Sequence, residues 1–139
     1  MNFLLDTTVA SEWMKPLPNP RVIRWLAEVD EDRVYLSVTT LAELRYGTER
    51  LSSGARKSRL EAWLHEELPL RFEGRLLIIE ATIADAWGRI MGQCSAADKP
   101  IGVMDAFFAA TAEVHALTLV TRNVSDFTAS GIPLLNPWI

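Results

Sequence analysis

Short apolar runs recur along this chain: Phe3 to Leu5, Val34 to Ser37, Leu76 to Ile79, Leu117 to Thr121, and a weaker Leu134-Leu135. Longer segments of helical period separate most of them. This alternation constrains the fold more than any other feature. Strands that are apolar on both faces cannot leave one face wet, so helices must cover both sides. The expectation is an α/β fold, one domain over residues 1–139, with a central, mostly parallel sheet flanked by helices. In such sheets ligands bind beyond the carboxyl ends of the strands.

The helical segments carry their own signals. Asn19 to Val29 opens with Asn-Pro, an N-cap followed by proline at the first helical position. Leu60, Trp63, Leu64 and Leu68 form one apolar stripe, and Ile83, Trp87, Ile90, Met91 and Cys94 another. Phe107, Ala110, Thr111 and Val114 form a third, on a helix almost without charge. Such a helix belongs in the core or at an interface, and core is the preferred reading.

Acidic residues stand at the predicted ligand edge. Asp6 closes the first apolar run, and a carboxylate there is costly unless it is paired or binds a metal. Glu43 lies one helical turn beyond the second run. Asp105 sits in Met104-Asp105-Ala106-Phe107-Phe108, and Asp126 follows the Leu117 to Thr121 run, just after Asn123. Each has a purely structural explanation as well. Asp6 could cap a helix starting near Thr7. Thr40 and Glu43 have capping-box spacing. Asp105 would suit a helix's first turn, and Asp126 a turn. Oxygen ligands without His or Cys suit Mg²⁺ or Mn²⁺. Such an ion would offset the mutual repulsion of clustered acids and serve phosphodiester hydrolysis.

Other chemistries lack their motifs. There is no Gly-rich phosphate loop and no Gly-x-Ser-x-Gly elbow. A haloacid-dehalogenase-like phosphatase would need Asp-x-Asp at the first run, where Thr8 holds the second position. A receiver domain would need a second acid there and a late lysine, where Arg122 stands. A single cysteine, Cys94, excludes an internal disulfide and reads as a small packed residue; His65 and His115 lack metal-ligand spacing. No apolar run approaches the roughly 18 residues of a membrane span. The N-terminus lacks the features of a signal peptide, so a cytoplasmic location is expected. The net charge of −4 argues against a protein that lives on non-specific phosphate contacts. If nucleic acid is the substrate, its contact must be local. Arg45, Arg56 and Lys57, in a basic stretch with Arg50 and Arg59, are candidates, with a solvated helix face as the alternative. The five tryptophans read mainly as core.

Together the motifs resemble a known family. Leu4-Leu5-Asp6-Thr7-Thr8-Val9, Leu41-Ala42-Glu43-Leu44, Met104 to Ala112, Leu119 to Phe127 and Leu135-Asn136-Pro137-Trp138 occur in the order and spacing of PIN-domain ribonucleases, specifically the toxins of VapBC-type toxin–antitoxin pairs. The resemblance implies that Asp6, Glu43 and Asp105 hold one or two Mg²⁺ or Mn²⁺ ions. It implies endonucleolytic RNA cleavage leaving a 5′-phosphate, a homodimer, and a VapB-type antitoxin that covers the active site. The family often places a fourth acid where this chain has Asn123, and Asp126 is the candidate replacement. Thr8 and Thr121 are expected to support carboxylates or phosphate. Because of Asn123, a non-catalytic PIN-like module that binds RNA or protein is the alternative.

Overall fold

The computed structural model describes residues 1–139. In chain order the elements are β1 (Phe3–Leu5), α1 (Thr7–Ala10), α2 (Pro20–Glu28), β2 (Val34–Ser37), α3 (Val38–Glu49), α4 (Ala55–Ala62), α5 (Leu68–Arg71), β3 (Leu76–Leu77), α6 (Ala81–Ala96), α7 (Val103–Val114), β4 (Thr118–Val120), α8 (Val124–Phe127) and β5 (Leu134–Leu135). Single turns of tighter helix cover Ser11–Met14, Glu31–Arg33 and Thr128–Ser130. Between α4 and α5 the helix widens over Trp63–Glu67, where the Leu68 N–H reaches back five residues to the Trp63 carbonyl.

All strand pairs are parallel, in the order β3-β2-β1-β4-β5. From β1 the chain builds outward to β2 and β3, then crosses back and builds β4 and β5 on the other side. The end of β1 is therefore the topological switch point, where open parallel sheets leave a crevice for ligands.

Successive residues of the central strands face opposite layers. Leu4 and Leu119 point into a core with Ile83, Ile90 and Phe108 of α6 and α7. Leu5 and Val120 point into a second core with Val22, Leu26, Trp63, Leu68 and Phe72. This is the two-sided burial that the apolar runs imply. Asn19 caps α2 as expected, its Oδ1 accepting from the N–H groups of Arg21 and Val22 at 2.9 and 3.3 Å. Cys94 is buried on α6. No helix is long and apolar enough to cross a membrane.

Three expectations need correction. β3 ends at Leu77, leaving Ile78 and Ile79 exposed. It is an edge strand, and its only partner β2 stops at Ser37, where α3 begins, so nothing remains to pair with. Thr40 and Glu43 do not form a capping box: α3 starts at Val38 and is capped by Ser37, whose Oγ accepts from the Thr39 N–H at 3.0 Å. α7 is a core helix, but its buried residues run Ala106 and Phe108–Ala112, with Val114 exposed.

Candidate active site

Asp6 stands at the switch point. Its N–H donates to the Val120 carbonyl at 2.9 Å, one step past the end of β1. Its backbone is extended, and its side chain caps α1, with Oδ1 accepting from the Thr7 N–H at 2.7 Å. The capping reading is thus correct, and it leaves the other oxygen for further work. Oδ2 accepts from Thr121 Oγ1 at 2.7 Å and from Thr8 Oγ1 at 3.0 Å. Both threonines support the carboxylate. Thr121 also anchors the next loop, since its Oγ1 accepts from the Asn123 N–H at 3.0 Å. Only 5% of Asp6 is exposed. Burial outweighs these donors and pushes its pKa up.

Glu43 projects from the second turn of α3. Its Oε1 accepts from Thr7 Oγ1 at 2.5 Å, and Thr7 Oγ1 lies 3.1 Å from Thr40 Oγ1. Thr7 thus links the two acids: its amide holds Asp6 and its hydroxyl holds Glu43. The sequence assigns Thr7 no part in the site and sets Thr40 beside Glu43 only as a capping box. The local sequence offers no signal for them, because the contact joins α1 to α3 across 36 residues.

Asp105 occupies the first turn of α7 and is half-buried. Its neighbours Val103 and Met104 are exposed. Its pKa is pushed up to about 6, by burial first and then by the charges of Asp6, Asp126 and Glu43. That coupling brings acids from four separate elements to one place. Asp126, on α8, is exposed, and its N–H donates to the Asn123 carbonyl at 3.0 Å. Asn123 is exposed too, and its side chain makes no cap on α8. As the side chains stand, no three Asp, Glu, His or Cys residues converge tightly enough to hold a metal ion.

One more buried carboxylate lies outside this cluster. Glu12, 1% exposed, pairs with Lys15, and its Oε1 accepts from the Asn19 N–H at 2.8 Å. Burial raises its pKa, but these partners outweigh burial and hold it below the usual carboxylate range. Its role is to join the turn after α1 to the start of α2.

The basic candidates divide. Arg45 is held by Glu49 at 2.7 Å and Glu61 at 3.2 Å. Lys57 reaches the Glu49 carbonyl at 3.4 Å. Arg56 is exposed and forms no ion pair.

Comparison with known proteins places the chain in a family. Residues 3–128 match the PIN domain family. Toxin FitB of Neisseria gonorrhoeae is 38% identical over 135 residues, 97% of each chain. VapC ribonuclease Y4jK of Sinorhizobium fredii is 34% identical over 135 residues, 97% of this chain and 96% of its own. The solved structure of FitAB bound to an IR36 DNA fragment contains a chain with a TM-score of 0.93 and 36% identity, covering 99% of this chain and 96% of that one. DNA-bound VapBC from Salmonella typhimurium gives a TM-score of 0.79 at 27% identity, covering 99% and 98%. The match runs from the first strand through the last short helix: the chain belongs to the PIN domain family.

Proposed function

We propose that this protein is a divalent-metal-dependent endoribonuclease, the toxin of a type II toxin–antitoxin pair. The observation that carries the reading is Asp105, pushed up to about 6 by burial and three other carboxylates at the sheet's switch point. Such an accumulation of negative charge is unfavourable by itself and suits a bound cation. The donors are all oxygen, which fits Mg²⁺ or Mn²⁺. Asp6, Glu43 and Asp105 are the residues that would hold the ion. Asp126 supplies the fourth carboxylate, in place of an acid at Asn123.

A bound ion of this kind polarises a phosphoryl oxygen and lowers the pKa of water. The chain's own groups do the rest. Thr7, Thr8 and Thr121 fix the orientation of Asp6 and Glu43. A site carboxylate takes the proton of the water that attacks phosphorus, the P–O3′ bond breaks, the leaving 3′ oxygen takes a proton from solvent, and the other product carries a 5′-phosphate. Relatives named VapC ribonuclease and Toxin FitB support RNA as the substrate and toxicity as the role. Neighbouring structures titled FitAB and VapBC complexes support a VapB-type antitoxin as partner. A homodimer accords with exposed Val103 and Met104 beside the site, and light scattering after size exclusion would measure it.

The decisive assay incubates structured RNAs with wild type, Asp6→Asn and Asp105→Asn, in Mg²⁺, Mn²⁺ or EDTA. Wild type should cleave only with metal. Each variant should lose roughly 100-fold or more in rate, about 2.7 kcal/mol of barrier. Full activity in EDTA or in either variant would sink the mechanism. RNA binding without cleavage by wild type would identify a non-catalytic module.

A further inference from the structure

A groove of about 330 Å³ runs between α1, α3 and α4, and Thr7 and Glu43 close one end of it. Of the four acids, Glu43 is part of its lining. Leu44, Leu60 and Trp63 make an apolar wall, and Arg56 and Lys15 stand on the rim. Lys15 is paired with Glu12, but Arg56 forms no ion pair. Its volume lies at the lower end of small-ligand pockets, which suits one nucleotide rather than a docked helix with several anchors.

One feature of the walls has no structural purpose of its own. Gly47 lies inside α3, where glycine weakens a helix. Nothing in the fold requires it: its φ is not positive, and a Cβ added there meets nothing within 4 Å. It lines the groove, so its missing side chain leaves that space open. The widened helical turn begins at Trp63, on the opposite wall. Pro69 follows it and has no N–H to offer the His65 carbonyl, which accounts for the widening.

We propose that this groove is a nucleotide pocket, seating the base of one nucleotide beside the scissile bond against Leu44, Leu60 and Trp63, with its phosphate on Arg56. The inference rests on the ribonuclease reading above. The free cation at the rim selects an anion, and the apolar wall selects a base. The pocket, rather than the acids, then sets which nucleotide flanks the cut.

The test measures binding without turnover. Metal-free protein in EDTA is titrated with the four nucleoside 5′-monophosphates, followed by amide NMR shifts, and with a labelled single-stranded oligoribonucleotide, followed by anisotropy. Shifts should centre on residues 44–48 and 56–63. Gly47→Leu should weaken oligonucleotide binding at least tenfold, its helix intact because leucine is the better helix former. Arg56→Gln, an exposed change, should weaken binding roughly fivefold and lower the salt slope by about 1.

Unchanged affinity in both variants overturns the pocket, as do shifts confined elsewhere. So does a Gly47→Leu protein that loses antitoxin capture while keeping its RNA affinity, which would make the groove a protein-docking surface. The two readings fail separately. A wild type that binds nucleotides in the groove but cleaves nothing with Mn²⁺ rejects the nuclease and keeps the pocket. Variants that cleave and bind like wild type reject the pocket and keep the nuclease.

Discussion

Thr121 is the residue on which the buried end of the site depends. It is fully buried, donates to Asp6 at 2.7 Å and accepts from the Asn123 amide at 3.0 Å. Thr121→Val keeps the shape and removes both bonds. A buried carboxylate then loses a donor, at about 1–3 kcal/mol, while the Asn123 amide, on an exposed residue, turns to water. Urea denaturation should show a loss in the range of about 1–3 kcal/mol, with an unchanged m-value. Asp105 behaves in the opposite way, because its charge opposes folding. Its folded pKa of about 6 lies above the ordinary 3.8, so between those values the native state holds the proton more tightly than the unfolded chain. Its contribution therefore falls as pH rises from about 4 to about 6 and stays low above that. Asp105→Asn removes the titration. In metal-free buffer the variant should melt above wild type at pH 7, and the two should converge near pH 4. A variant less stable than wild type at pH 7 would contradict this.

At the scale of elements, capping and patterning explain what could be read in advance. Asn19-Pro20 announces α2 because cap and proline act locally. Asn19→Ala should cost about 1 kcal/mol in chemical denaturation, by leaving the Arg21 and Val22 amides without their acceptor. The backbone N–H that holds Glu12 survives that change, which limits the loss. All five strands were legible as apolar runs, because a sheet covered on both faces needs nothing else. What was illegible depends on neighbours in space. The length of β3 is set by where β2 stops. The start of α3 is set by Ser37, which reads as the end of a strand until its hydroxyl is seen capping the helix. On α7 a single stripe misleads, because the helix packs against both α6 and the sheet and is buried on more than one side. The site divides in the same way. Asp6, Glu43, Asp105 and Asp126 could be named from their places after strands and in helix turns. Thr7 and Thr40 could not, since only the packing of α1 on α3 gives them a partner.

For the whole molecule, the dispersal of the site is the governing fact. Asp6, Glu43, Asp105 and Asp126 come from the end of β1 and from α3, α7 and α8, so only the folded sheet brings them together. An unfolded chain offers a divalent ion no comparable site. On the proposed reading, a bound metal ion would stabilise the native state by linkage, about 2.7 kcal/mol at a free concentration 100 times the Kd. For a chain of 139 residues that amounts to a rise in Tm of roughly 8–12 °C. Melting curves in Mn²⁺ against EDTA should show it in wild type. They should show little of it in Asp6→Asn, where a ligand is lost. The metal-free gain of Asp105→Asn at pH 7 comes from removing a charge opposed first by burial and then by the neighbouring carboxylates, and a metal ion in wild type would offset that same charge. The two should therefore compete: added Mn²⁺ should raise wild type toward or past the variant, which it stabilises far less. If Mn²⁺ raised all three proteins equally, the ion would be acting elsewhere on this acidic chain, and the carboxylate cluster would lose its assignment as the metal site.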